Sequence, residues 1–390
     1  MRRVPASSII LAAAFAFAAG IPARTLGAQA APPPVAGAGP SASPAAAAAA
    51  AKLPLEPGEG KAVVAKLADD LVSQFVFRDQ AEAYAAMLRK NAAAGRYDNG
   101  TRGEIAKLLT EDLQAVHKDG HLHVMLAPQG AGGPARGNGG GGPPPGFPPL
   151  IQAAKTIAPG IGYIRFTAFF GTDQEVAAVR QWLAENRNDR VLIFDLRNHH
   201  GGGLDEQDAI FSYLYSRKTP LVKMAVAKDI YGGPNSPIEP GKTLVFAAED
   251  GKMVGTHSAI PGPVTALRKA KVYLLTSNRS ASAAEHFALA LKSSGRATLI
   301  GEATAGANHF GGPRPLNEHF AVWMPVGRTY DIKTGKDWEG DGIAPDIAVD
   351  PKQALIVALE KSGLSREQAV KLDAAEVPAE PVHRDTLKAR

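Results

Sequence analysis

The apolar positions along this chain change their period twice, and each period predicts a different element. Between residues 60 and 113 they recur at helical spacing: Val63, Leu67, Leu71 and Phe75 form one stripe, and 81–91 and 102–116 continue it. Such stripes predict amphipathic helices and, over 55–128, a small N-terminal helical domain. Residues 121–126 (HLHVML) then alternate, as a strand does. From residue 160 short apolar blocks and helical stretches take turns. Strands are predicted at 161–166, 191–195, 221–226, 243–247, 272–275, 297–300, 320–324 and 329–332. Helices are predicted at 173–186, 205–215, 283–293 and 352–361. Strands that are apolar throughout must be buried on both sides. The expected fold class is therefore α/β: a core over 151–352 with a central sheet carrying helices on both faces, followed by a C-terminal helix and tail over 353–390.

Composition marks what lies outside these elements. Residues 31–54 are rich in alanine and proline and read as a flexible linker. Residues 129–150 form a glycine/proline stretch that reads as a disordered loop, without the strand–loop–helix setting of a phosphate cradle. The first 30 residues have the form of a signal peptide: Arg2 and Arg3, an apolar run over 9–19, and Ala28-Gln29-Ala30 before the cleavage point. A periplasmic or secreted protein is expected, with no membrane span after cleavage. The chain has 390 residues, 45% of them hydrophobic and 21% charged, within the soluble globular range. Its net charge is +5, but Arg2, Arg3 and Arg24 lie in the leader, which leaves +2. No lysine/arginine block stands out, so no nucleic-acid partner is expected. The absence of cysteine excludes disulfides, thiolate catalysis and cysteine metal sites.

Two segments carry candidate chemistry. In 271–292, KVYLLTSNRSASAAEHFALALK, a strand runs through a tight polar turn into a helix beginning near Ser282. A serine there, either Ser280 or Ser282, can cap the helix. It can equally be an acyl-transfer nucleophile beside free helix N–H groups. The second segment is 195–203, DLRNHHGGG, directly after the apolar strand. Strand ends are where open α/β sheets place ligands, and consecutive glycines let backbone N–H groups come close to them. His199 and His200 lack a spaced third ligand, so neither metal nor other cofactor is expected.

These segments, with two others, resemble the C-terminal processing (tail-specific) serine peptidases, together with the tricorn core and interphotoreceptor retinoid-binding protein. Four motifs carry the resemblance, in the family's order. They are Asp119-Gly120-His121; Asp195-Leu196-Arg197 with Gly201–Gly203; Ser280 to Glu285 followed by 296–306; and 338–347, WEGDGIAPDI. The resemblance implies a peptidase with Ser282 as nucleophile and a peptide or unfolded protein as substrate. Many tail-specific members use a lysine base where this chain has Ala307. The tricorn-like branch instead uses a histidine and a glutamate, roles that fall on His121 and Glu339. That branch has serine directly before its histidine, where this chain has Gly120. His123 is the second choice for the base. The interval that holds a PDZ domain in tail-specific members here contains only the glycine/proline stretch, so no PDZ domain is expected.

In this reading neutral His121 takes the Ser282 proton and Glu339 orients the imidazole. The N–H of Gly201 or Gly202, with that of Ala283, binds the oxyanion. Asp195 and Arg197 support the glycine loop as a charge-assisted pair. Two alternatives remain open: a non-catalytic module of the same fold binding a hydrophobic ligand or peptide, and a small-molecule esterase.

Overall fold

A computed structural model describes residues 44–127, 147–376 and the isolated positions 143, 378, 381 and 382. The predicted leader and most of the glycine/proline loop lie outside the described residues. Four helices come first: α1 (Pro44–Ala51), α2 (Glu59–Gln74), α3 (Arg78–Ala93) and α4 (Arg102–Val116). Next come β1 (His123–Leu126), β2 (Ile151–Ala158), β3 (Ile161–Phe166), α5 (Asp173–Glu185), β4 (Val191–Asp195) and α6 (Asp205–Leu214). The middle of the chain forms β5 (Thr219–Ala227), β6 (Leu244–Glu249), β7 (Lys252–Ala259), β8 (Lys271–Thr276) and α7 (Ala283–Ser293). It ends in β9 (Thr298–Gly301), β10 (Phe310–Pro315), β11 (Phe320–Asp331), β12 (Ile347–Ala348), α8 (Ala354–Lys361) and α9 (Arg366–Ala374).

The fold is α/β with N-terminal helices. Its central sheet has the order β12-β9-β8-β4-β3-β2 and is parallel from β12 to β3, with β2 antiparallel at the edge. Side chains of a strand alternate between faces, and the core divides accordingly. Leu192 and Phe194 of β4, with Leu274 of β8, pack under α5, α6 and α7. Val191, Ile193 and Leu275 point the other way, towards α8 and α9. This two-sided burial explains why β4 reads as an uninterrupted apolar run.

A second, antiparallel sheet was not foreseen. Its order is β1-β11-β5-β7-β6, with β10 also paired to β11. The apolar blocks at 320–324 and 329–332 are the two ends of the single strand β11. The polar and glycine-containing sequences of β7 and β10 carry little apolar periodicity, and both are held by pairing with neighbours. The N-terminal helices pack onto this sheet. Leu67, Leu71, Leu88 and Leu109 share one apolar cluster with Phe320, Val322 and Met324 of β11. They do not close a core of their own.

Both chain ends differ from expectation. The last part of the predicted linker is helix α1, as its alanine run permits. The chain then docks on α4 through the Arg102 N–H, which donates to Leu53 O at 2.9 Å. Within the predicted tail, α9 starts at a Ser365/Gln368 capping box. Of the predicted disordered loop, 147–150 is described; Leu150 is buried and its carbonyl accepts the Thr167 N–H at 2.9 Å.

Candidate active site

Strands β4 and β8 are parallel neighbours in register, Asp195 opposite Leu275, so the segments leaving their C-terminal ends meet. The β8 segment carries Ser282 and the β4 segment carries the glycines. Buried hydroxyls sew the two together. Ser280 Oγ donates to Leu196 O at 2.7 Å, and the Ala281 N–H donates to His199 O at 2.9 Å. Ser280 is thus a fully buried structural residue, and Ser282, half-buried at the mouth of α7, is the serine left for chemistry.

Ser282 has φ +56° and ψ −113°, and only one other non-glycine residue among those described has positive φ. Such backbone strain costs roughly 1–3 kcal/mol and persists only where the surroundings impose it. Glu285 is one imposing partner, its carboxylate accepting the Ser282 N–H at 2.8 Å. The same carboxylate accepts from Thr304 Oγ1 (2.6 Å) and from the N–H groups of Gly306 (2.7 Å) and Ala307 (2.9 Å). Burial pushes its pKa up, and these donors oppose the shift.

The glycine loop closes over the other side. A Cβ on Gly201 would lie 2.8 Å from Ser282 Cβ and 3.3 Å from its Oγ, and φ at Gly201 is +102°. Glycine is required there for both reasons. The Gly201 N–H, one of the two expected oxyanion donors, is engaged inside its own loop with His199 Nδ1 at 3.1 Å. His199 is fully buried, and that burial pushes its pKa down to about 3, so the ring is neutral. The bridge between Phe169 and Gly202 uses Gly201 O and the Gly203 N–H, which leaves the Gly202 N–H outside it. Gln207 Nε2 donates to Gly203 O (3.1 Å) and Ala283 O (3.0 Å), fixing the glycine loop to the first residue of α7.

Behind the loop, Asp195 accepts from Arg197 Nε (2.9 Å) and Nη2 (2.7 Å), from Arg165 Nε (3.1 Å) and from the Tyr163 hydroxyl (2.7 Å). Burial alone would raise its pKa, but the two guanidinium groups hold the carboxyl well below its usual range. A buried pair this well satisfied serves shape.

His121 sits in the turn before β1, reached from Ser282 through two carboxylates. Glu285 binds the Ala307 N–H, and a Cβ on Gly120 would lie 3.4 Å from Ala307 and 3.3 Å from Glu339 Oε1. The His121 and His123 rings both lie against Trp323 of β11. His123 Nδ1 donates to His121 O at 2.8 Å, which ties that ring to its own strand. His121 Nδ1 is buried with no hydrogen-bond partner. This desolvation pushes its pKa down to about 4, leaving a neutral imidazole.

The expected orientation of His121 by Glu339 is not formed at Nδ1. Glu339 instead accepts three backbone N–H groups: Gly120 at 2.6 Å, Asn308 at 2.6 Å and His309 at 3.1 Å. Asp119, His309 and Glu339 bring one ligand-type atom each within 4.8 Å of one another. The 2.7 Å contact between His309 Nδ1 and Asp119 Oδ2 is a hydrogen bond, with no room for an ion between the two atoms.

Glu285 was legible as the last residue of a Ser-x-x-Glu capping pattern. Gln207 and His309 carry no local signal, since their partners lie far away in sequence.

Residues 160–349 match the model of peptidase family S41. The C-terminal processing peptidase, chloroplastic, of Tetradesmus obliquus is 27% identical over 210 residues, which cover 51% of this chain and 38% of that protein. The chain thus spans well under half the length of that curated relative. A Parabacteroides merdae structure solved as a candidate peptidase superposes with a TM-score of 0.52 at 17% identity, covering 82% of this chain and 99% of that one. The tricorn protease gives a TM-score of 0.50 at 12% identity, covering 81% of this chain and 37% of that one. The likenesses to solved structures concern the fold alone, whereas the sequence match over 160–349 takes in the glycine loop, Ser282 and Glu339, and by it that region is similar to peptidase family S41.

Proposed function

We propose that the chain is a serine peptidase that hydrolyses peptides or unfolded proteins through an acyl-enzyme on Ser282. The observation that carries this reading is the backbone of Ser282, held at φ +56° at the mouth of α7 with Gly201 packed against its side chain. Strain of this kind aims a hydroxyl into a cleft beside backbone donors. His121 takes the Ser282 proton as Oγ bonds to the scissile carbonyl carbon, and the N–H groups of Gly202 and Ala283 receive the oxyanion. His121 then protonates the leaving amine, and water releases the acyl group by the reverse sequence. The relative from Tetradesmus obliquus is named for C-terminal processing. No PDZ domain is expected from the sequence, and we accordingly assign this chain the broader substrate class. The sequence of the first 30 residues supports a periplasmic or secreted location.

One observation favours a second reading, a binding module that has lost its chemistry: His121 Nδ1 has no orienting partner. A fluorophosphonate probe separates the two. With an active site, the probe labels Ser282, and Ser282→Ala loses both the adduct and all hydrolysis while its unfolding curve stays unchanged. Folded wild-type protein that takes no label, or a Ser282→Ala variant that still hydrolyses peptides, rules the proposal out.

A further inference from the structure

His309 lies in the segment between β9 and β10, and neither the family's motifs nor the reaction proposed above gives it a part. It is fully buried, and so is Asp119. Its Nδ1 donates to Asp119 Oδ2 at 2.7 Å and lies 3.7 Å from Glu339 Oε2. Those two carboxylates hold the turn from which His121 projects. Asp119 Oδ1 accepts the N–H groups of His121 (2.9 Å) and Leu122 (3.0 Å), and Glu339 Oε1 accepts that of Gly120 (2.6 Å). Three successive backbone donors of the turn therefore end on two buried carboxylates, with one imidazole between them.

We propose that His309, as the imidazolium between Asp119 and Glu339, is the positioning residue that locks the Gly120–Leu122 turn and so sets the direction of His121. Two buried carboxylates this close repel each other and are costly to keep ionised without a cation. Among the described residues, no lysine or arginine forms an ion pair with either carboxylate. Phe77 at the start of α3 puts its ring edge on His309 at 5.3 Å. The Arg328 guanidinium and the Lys252 ammonium lie over that Phe77 ring at 5.6 Å and 5.8 Å, and Arg328 is paired with Asp337 at 2.9 Å. Tyr84 of α3, which senses the charges of Asp119 and Glu339, donates its hydroxyl hydrogen bond to His117 O at 3.0 Å. His121, in the turn itself, is neutral. Burial disfavours charge on His309, but Asp119, then Glu339 and Asp337, outweigh it and raise its pKa. Burial likewise pushes the Asp119 carboxyl up, while His309 and the backbone donors hold it below the usual range.

The sign follows from the raised pKa. The clamp is complete at low pH and weakens as pH rises through the folded-state value, which is raised from the ordinary histidine value. The proposal rests on the peptidase reading only for its consequence in catalysis, so the test has two readouts on the full chain. The first is amide hydrogen-exchange protection at Gly120, His121 and Leu122. The second is the rate of fluorophosphonate labelling at Ser282. Both are followed between about pH 6 and about pH 9.

The informative variant is His309→Asn, whose side-chain N–H can replace Nδ1–H without its charge. Near-ultraviolet circular dichroism checks that it folds, and Asp119→Asn serves as the second variant. In the wild type, protection of the three amides and the labelling rate should both fall at high pH. In His309→Asn both should be lower by roughly tenfold or more at pH 6, and flat with pH. A His309→Asn protein with wild-type protection and a wild-type pH profile overturns the positioning role and leaves the peptidase reading standing. A wild type that never labels, yet shows the pH-dependent protection and loses it in His309→Asn, overturns the peptidase reading and supports the clamp.

Discussion

At the scale of single residues the site is governed by which lone pairs and N–H groups are already spent. Glu339 spends both oxygens on backbone, and Gly201 spends its N–H on His199. His121 is left neutral with a buried, unpartnered Nδ1. With its pKa lowered to about 4 by burial, the acid limb of kcat/KM should fall near pH 4 and not near the ordinary histidine value. A pH–rate profile on a peptide or ester substrate checks this; a limb near 6.5 would mean the base is an exposed group. Gly120 invites a gain of function. Its φ is not positive, and a Cβ there meets Glu339 Oε1 and Ala307 at 3.3–3.4 Å, contacts that need only a slight adjustment. Gly120→Ser would place a hydroxyl able to accept from or donate to its neighbours between Glu339 and His121. The expected outcome is a rise of about tenfold in the labelling rate of Ser282, the effect of one well-placed hydrogen bond. An unchanged or lower rate would count against His121 as the base.

At the scale of elements, the junctions after β8 and β9 behave as one unit because Glu285 ties them. Its carboxylate joins the nucleophile turn to the Thr304 hydroxyl and to the N–H groups of Gly306 and Ala307 in the segment after β9. Glu285→Ala would strand these buried donors, at roughly 1–3 kcal/mol for each one left unsatisfied. The expected result is a stability loss of several kcal/mol, read by denaturant unfolding, together with loss of Ser282 labelling. A variant of near wild-type stability would show that water replaces the carboxylate. Much of this scale was legible beforehand. Strand β4 and helix α7 have the bounds their apolar patterns predict, because each pattern reports a buried face directly. Strands β7 and β10 were not legible, since each is fixed by pairing with partners distant in sequence.

At the scale of the whole molecule, the N-terminal helices and the antiparallel sheet share one core. Phe320 is fully buried in the cluster that joins α2–α4 to β11. Phe320→Ala should therefore lower stability by about 3–5 kcal/mol and loosen the helices and the sheet together. Hydrogen exchange in α3 and in β5 would report it. Protection lost in the sheet but kept in the helices would mean that the helical segment folds independently.

The sequence by itself determined the periods, and with them the α/β core, the N-terminal helices and the strand–turn–helix that presents Ser282. It also supplied the motifs by which the family is recognised. These are local properties: a buried face, a glycine loop and a capping pattern are each written within a dozen or so neighbouring positions. Only the tertiary structure decided that Ser280 is a strut, that Glu339 binds backbone and not His121, and that His309 stands between two carboxylates. Those outcomes depend on hydrogen-bonding capacity being shared among residues up to 219 positions apart, as between Gly120 and Glu339. A donor or acceptor has few bonds to give, and which partner takes them is settled by the packing of sheets and loops, which no local pattern records.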